Sequence, residues 1–107
     1  MSTDAPDEPG FVIIAHWRIR PGEETRVLEL LDELEAATRE EPGCVSFDST
    51  VGRADPSAVT LIERYVDRAA FRAHRASPHF RTLVAEQVVP RLVARHVHAH
   101  VPVSLES

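Results

Sequence analysis

The segment FVIIAHWRI, residues 11–19, carries the alternating pattern from which the fold can be worked out. Ile13 and Trp17 share one face with apolar neighbours, whereas the other face passes from Val12 to the polar His16. Apolar and β-branched side chains at a period of two predict a β-strand. One face of this strand is expected to be fully buried and the other partly buried.

A helix and then a hairpin are predicted after this strand. Pro21-Gly22 ends the strand, and the next break is Pro42-Gly43. Between them apolar residues recur at the spacing of one helix face: Val27, Leu30, Leu31, Leu34 and Ala37. Two strands, residues 44–51 and 58–66, flank a turn rich in Gly, Asp and Pro, so they should pair as a hairpin.

The last third of the chain predicts a broken helix and a final strand. Asp67 can cap a short helix that turns Phe71 and His74 inward, and Ser77-Pro78 can start a second helix, with Ser77 as the N-cap. That second helix has one apolar stripe, made of Phe80, Leu83, Val84 and Val88. Pro90 should bend or weaken it, and alternation over residues 95–103 predicts a strand.

The order β-α-β-β-α-β is that of the ferredoxin-like α+β fold, here with a split second helix and a four-stranded antiparallel sheet. All helices then cover one face of the sheet. The other face keeps an apolar set, Val12, Ile14, Ile62 and Val66. Because such a set is poorly suited to water, a homodimer packed sheet to sheet is expected. Residues 11–107 form the single domain of this prediction, and residues 1–10 form a disordered acidic tail.

Composition excludes several classes of protein. The net charge is −5, which argues against a nucleic-acid partner. No signal segment or long apolar run is present, so a cytoplasmic protein without a membrane partner is expected. All 12 cationic side chains are arginine, which excludes Schiff-base chemistry and a P-loop and suggests a GC-rich bacterial genome.

Three short strings carry a family resemblance: EPGC at residues 41–44, LIERYVD at 61–67 and AHRASPHF at 73–80. With them the chain resembles the antibiotic biosynthesis monooxygenase family over residues 11–103. The resemblance implies a dimeric α/β barrel and an activity close to that of the quinol monooxygenases. Such enzymes oxidise a phenol, hydroquinone or anthrone with O2 and use no flavin, haem or metal, so no cofactor is expected.

The chain departs from the haem-degrading members of this family. Those members use an Asn on the first strand, a Trp at the end of the third strand and a His in the last helix. The corresponding residues here are Ala15, Tyr65 and Val84. Haem degradation is therefore not expected, and the anthrone-oxidising mechanism, which also uses that Asn and Trp, cannot be transferred unchanged.

A cofactor-free oxygenase needs a base with a pKa near neutral, which points first to histidine. His74, one turn after Phe71, is the preferred candidate, and His79 in the first turn of the next helix is the second. Tyr65 could hydrogen-bond a substrate oxygen or carry a proton. Each of these three residues also has a plain structural interpretation, as a helix-surface, capping or core side chain.

Further residues are expected to line the substrate pocket: Trp17, Ala15, Phe47, Glu63, Phe71, Phe80 and Leu83. A buried Glu63 would need a partner, and Arg64 points to the opposite face of the same strand. No metal site is predicted, because His74 and His79 are not at i, i+4 spacing. The His96, His98 and His100 ladder spans roughly 13 Å and cannot ligate one ion.

Two other functions remain open at this point. The same scaffold could host a non-oxidative isomerase or hydrolase in which His74 and Tyr65 exchange protons. It could also be a dimeric module that binds a hydrophobic ligand without turning it over.

Overall fold

Four strands form one antiparallel sheet in the order β2-β3-β1-β4. In the computed structural model, which describes residues 10–103, these strands are β1 (Phe11–Ile19), β2 (Cys44–Val51), β3 (Ala58–Tyr65) and β4 (Leu92–His100). The helices are α1 (Glu24–Arg39), α2 (Arg68–Arg75) and α3 (Phe80–Val88). This arrangement confirms the predicted ferredoxin-like βαββαβ fold. The predicted acidic tail lies outside the described residues except for Gly10.

Strand β1 lies between β3 and β4 and sets the two faces of the sheet. Ala15 is opposite Leu61 of β3 and Val97 of β4, and these residues face the helices. His16 is opposite Thr60 and His96 on the other face. The predicted alternation of β1 is therefore confirmed.

Helix α1 covers the helix-bearing face with the predicted apolar stripe. Val27, Leu30, Leu31 and Leu34 are buried, and Thr38 rather than Ala37 continues the buried side. Each such aliphatic side chain contributes about 1.5–3 kcal/mol when it is removed from water. Before the helix, Gly22 has a φ of 90°, which a residue with a Cβ rarely adopts, so the Pro21-Gly22 turn requires glycine here.

The broken second helix follows the predicted capping. Asp67 accepts a hydrogen bond from the Ala70 N–H at 2.8 Å, and the Ser77 hydroxyl accepts one from the Phe80 N–H at 3.2 Å. Helix α3 is wound as a π-helix, which the sequence does not indicate. A short 3-10 turn, Val89–Arg91, follows α3. Pro90 has no N–H to continue the helix, so the predicted weakening at this residue is confirmed.

Strand β4 differs from the prediction at both ends. It begins at Leu92 rather than at residue 95, because Leu92 is buried and pairs with Ile19 at the end of β1. Strand β4 ends at His100, which pairs with Val12 of β1. Since β1 begins at Phe11, only one residue before Val12, it extends hardly further along β4. The expected continuation to Val103 therefore has no partner strand. No helix within residues 10–103 is long and apolar enough to span a membrane.

The open face of the sheet mixes apolar and polar side chains. Val12 is buried and Ile14 and Ile62 are half-buried, whereas Val66 is 51% exposed. The histidines of β4 are exposed on this face. Val66 lies just beyond the end of β3, so only the other three residues of the predicted apolar set belong to the strands of this face.

Candidate active site

A pocket opens between the helix-bearing face of the sheet and helices α2 and α3. Its lining combines aliphatic, aromatic and ionisable side chains: Ile13, Ala15, Trp17, Leu34, Leu61, Glu63, Phe71, His74, Arg75, Phe80, Val84, Arg95 and Val97. The enclosed part has a volume of about 30 Å³.

Six of the residues predicted for the site line this pocket: Ala15, Trp17, Glu63, Phe71, His74 and Phe80. The other four predicted residues do not line it. Phe47 and Leu83 belong to the hydrophobic core, and Tyr65 and His79 lie behind the pocket wall. Tyr65 and His79 are nevertheless connected to the pocket through hydrogen bonds to carboxylates.

Glu63 is the carboxylate that lines the pocket. It lies on the helix-bearing face of β3 and is only 6% exposed. The Tyr65 hydroxyl donates a hydrogen bond to its Oε1 at 2.6 Å. Burial raises the pKa of Glu63 to about 7, and the nearby Glu41 adds to the rise, whereas the Tyr65 hydrogen bond and Arg95 oppose it. A carboxyl group with this pKa can both accept and donate a proton near neutral pH.

His74 lies between two carboxylates and is 2% exposed. Its Nδ1 is 2.8 Å from Oε2 of Glu41, and its Nε2 is 3.9 Å from Oε1 of Glu63. Burial lowers the pKa of His74, although the Glu41 carboxylate opposes this effect. A neutral imidazole has one N–H, and the short contact to Glu41 favours that proton on Nδ1. The Nε2 atom then faces Glu63 as an acceptor.

Aromatic rings fix the position of His74. The rings of Tyr65, Phe71 and Phe80 have their centroids 5.2–6.2 Å from the centre of its imidazole. Such contacts lie in the range of favourable aromatic pairs. The predicted inward direction of His74 on α2 is therefore observed, and its cause is this aromatic enclosure together with Glu41.

Glu41 is the central residue that the sequence analysis missed. It lies between α1 and β2, and its Oε2 is 2.5 Å from Nε2 of His79 as well as 2.8 Å from His74. Glu41 is separated from these histidines by more than 30 positions. The only available signal was its place at the start of the EPGC string, since helix periodicity does not reach it.

The histidine pair is also closer than its sequence spacing suggested. One donor atom each from Glu41, His74 and His79 lies within 4.8 Å of the other two. The break at Ser77-Pro78 lets His79 turn back toward Glu41, so the five-residue spacing of the histidines does not keep them apart. Two imidazoles and one carboxylate form a donor set that suits zinc or ferrous iron.

Tyr65 acts on Glu63 rather than at the pocket rim. Its side chain is fully buried, and burial together with Glu63 raises the pKa of its hydroxyl. The hydroxyl therefore stays protonated and serves as a hydrogen-bond donor to Glu63. The contacts run in the order His79, Glu41, His74, Glu63 and Tyr65.

The sequence of the chain matches the family profile described as "Antibiotic biosynthesis monooxygenase" over residues 10–86. A similar protein is "Putative monooxygenase Rv0793" of Mycobacterium tuberculosis, which is 40% identical over 68 residues. These residues make up 64% of this chain and 66% of that protein, so the match spans just under two thirds of its length.

Solved structures show the same architecture. The structure of Rv0793 from Mycobacterium tuberculosis has a TM-score of 0.82 and 33% identity, and the match covers 91% of this chain and 98% of that one. A crystal structure described as an antibiotic biosynthesis monooxygenase has a TM-score of 0.83 and 34% identity. In that case the match covers 88% of this chain and 99% of the other.

Proposed function

Since the chain belongs to the antibiotic biosynthesis monooxygenase family, we propose that it is a cofactor-independent monooxygenase. Its substrate is an aromatic phenol, hydroquinone or anthrone, which it oxidises to a quinone with O2. The observation that carries this proposal is Glu63: a carboxyl group with a pKa of about 7 in an apolar pocket with aromatic walls.

Glu63 is the proposed base, in place of the histidines that the sequence favoured. Its carboxyl group lines the pocket, whereas His79 does not. His74 also lines the pocket, but its Nδ1 is directed to Glu41 and its Nε2 to Glu63. We therefore assign His74 the role of holding Glu63 and accepting the proton from it, with Glu41 fixing the imidazole tautomer. A base of this pKa is well matched to work near neutral pH.

The proposed reaction needs only the substrate and O2. Glu63 removes a proton from the phenol or from the acidic anthrone carbon, which leaves an electron-rich anion in a largely apolar pocket. The anion passes one electron to O2, and the two radicals combine to form a peroxide anion. This anion takes back the proton that Glu63 removed and becomes a carbon hydroperoxide. The carbon that bears the hydroperoxide also bears a hydrogen, so loss of water leaves a carbonyl at this carbon. One oxygen atom of O2 thus enters the quinone, and the other leaves as water.

The size of the pocket requires movement at its mouth. A cavity that holds benzene measures on the order of 150 Å³, which is larger than the enclosed part of this pocket. The ring must therefore lie toward the mouth, where Phe80 is only partly buried. Displacement of Phe80 would let a ring reach Glu63.

A homodimer is part of this proposal. The open face of the sheet presents the half-buried Ile14 and Ile62. On the opposite, helix-bearing face, Val97 of β4 is 41% exposed. A second copy of the chain packed on the open face would remove Ile14 and Ile62 from water. The family resemblance supports this form of assembly, and a cytoplasmic location stays a prediction of the sequence.

Oxygen uptake by chelator-treated protein tests the proposal. A panel of hydroquinones, naphthols and anthrones is used, and each rate is corrected for autoxidation. We expect catalysed uptake that Glu63→Gln reduces at least about 100-fold, because general-base catalysis contributes about 10²–10⁴ in rate. Glu33→Gln, on the exposed side of α1, is the matched control and should keep full activity.

The histidines are tested in the same assay. His74→Phe combined with His79→Phe should abolish turnover, and full activity of this double variant would refute the proton path through His74. Turnover under strict anaerobiosis would favour an isomerase or hydrolase. Binding of a panel compound without any product would favour a ligand-binding module.

A further inference from the structure

Two arginines flank the mouth of the pocket. Arg75 follows His74 at the end of α2, and Arg95 lies on the helix-facing side of β4, opposite Trp17. Both line the pocket that contains Glu63. Neither arginine is among the site residues predicted from the sequence.

Neither guanidinium has a carboxylate partner within residues 10–103. Arg75 lies over the rings of Phe71 and Phe80, with its Cζ 6.0 and 5.9 Å from their centroids. Arg95 has no hydrogen bond or ion pair in this part of the chain. Contacts near 6 Å are at the outer limit of cation–π attraction, so the N–H donors of both residues remain available.

The two positive charges also repel each other. Partial burial of Arg95 lowers the pKa of its guanidinium, the charge of Arg75 adds to this effect, and Glu63 opposes it. Two like charges at one pocket mouth are unfavourable unless an anion lies between them. Guanidinium groups bind carboxylates through paired N–H donors, which makes this ligand class a close match.

We propose that Arg75 and Arg95 bind a carboxylate group of the substrate, so that the pocket selects aromatic acids over neutral aromatic compounds. This inference rests on the proposed function, because it names the substrate class of the same pocket. The site it adds is a binding site for the acid group, separate from the base.

The sheet register gives the orientation of such a substrate. On β1, Ile13 is opposite Glu63 and Trp17 is opposite Arg95. These two positions are four residues apart, or roughly 13 Å along the strand. Ala15 and Leu61 form the apolar floor between them. An aromatic acid with its carboxylate at the arginines would place its ring on this floor and its reacting end toward Glu63.

Isothermal titration calorimetry with 6-hydroxy-2-naphthoate and its methyl ester tests the inference. The two compounds share the ring and the hydroxyl group and differ in the negative charge. We expect the acid to bind at least about tenfold more tightly than the ester, since a hydrogen bond to a charged group contributes about tenfold or more. Raising the ionic strength should weaken binding of the acid and leave the ester unchanged.

Arginine variants locate the effect. Arg75→Gln and Arg95→Gln should each weaken binding of the acid about tenfold and leave the ester unchanged. Arg72→Gln, one turn before Arg75 on α2 and exposed, is the matched control and should bind like the parent protein. Circular dichroism verifies that each variant is folded.

Several results would overturn the inference. They are equal affinity for acid and ester, no binding of either compound, unchanged binding in both arginine variants, or the same loss in Arg72→Gln. Failure of the proposed function looks different, because the acid would then bind as expected and cause no oxygen uptake. Oxidation of aromatic acids at unchanged kcat/KM in Arg75→Gln and Arg95→Gln would instead retain the function and reject the acid site.

Discussion

Replacing Glu63 by Gln should stabilise the folded protein at alkaline pH while it removes activity. In the folded protein the pKa of Glu63 is raised from 4.5 to about 7 because the group is buried. A raised carboxyl pKa means that the fold favours the protonated, uncharged form. Stability from this group is therefore complete below pH 4.5 and is lost as the pH rises through about 7.

The size of the effect follows from this difference in pKa. One pH unit corresponds to about 1.4 kcal/mol, so the rise from 4.5 to about 7 corresponds to about 3 kcal/mol. Gln has nearly the same shape as Glu, accepts the same hydrogen bond from Tyr65 and has no charge to bury. The free energy of unfolding of Glu63→Gln minus that of the parent should thus increase by about 3 kcal/mol between pH 4.5 and 8.5.

Urea unfolding followed by Trp17 fluorescence measures this difference. Trp17 is the single tryptophan and is 4% exposed, so its emission reports loss of the core around the pocket. Protein concentration is held constant, because assembly changes apparent stability. Glu33→Gln is the matched control, and its difference should stay flat with pH.

The reasoning is refuted if the free energy of unfolding of Glu63→Gln minus that of the parent changes by less than about 0.5 kcal/mol over this pH range. A surface substitution usually changes stability by no more than this amount. Glu63 would then ionise as it does in the unfolded chain, and the burial argument for its role as base would fail. A stabilised but inactive variant is the expected pattern for a group whose position serves catalysis rather than folding.

Two further predictions concern the same region. Glu41→Gln should lower kcat by about 10- to 100-fold and change the pH profile, because His74 loses the charged partner that fixes its tautomer; initial rates from pH 5.5 to 9 measure this. Dialysis against EDTA should leave catalysed oxygen uptake unchanged, whereas a loss restored by zinc or ferrous iron would mean that the cluster around Glu41 holds a metal.

Much of the fold was predictable because its signals are local. The alternation of β1, the apolar stripe of α1 and the capping residues Asp67 and Ser77 each act within a few residues of the chain. Local steric and hydrogen-bonding preferences determine such features, so a sequence displays them directly. The ends of β4 were missed because a strand extends only as far as its neighbour allows, and that neighbour is β1.

The candidate site was predictable only in part. The sequence identified Glu63, His74 and their aromatic surroundings as pocket residues, since their positions follow from strand and helix periodicity. It did not identify Glu41, Arg75 or Arg95, because their roles depend on side chains brought together from distant segments. A π-helix in α3 also had no local signal.

The sequence by itself determined the order of elements, the faces of β1 and the inward direction of His74. Only the tertiary structure decided which ionisable group has a pKa near 7, because that depends on how much water the surrounding elements exclude. In the sequence, Glu63 is distinguished only by its place in the alternating pattern of β3. It becomes a candidate base only when α2 and α3 cover it and Tyr65 and His74 lie beside it.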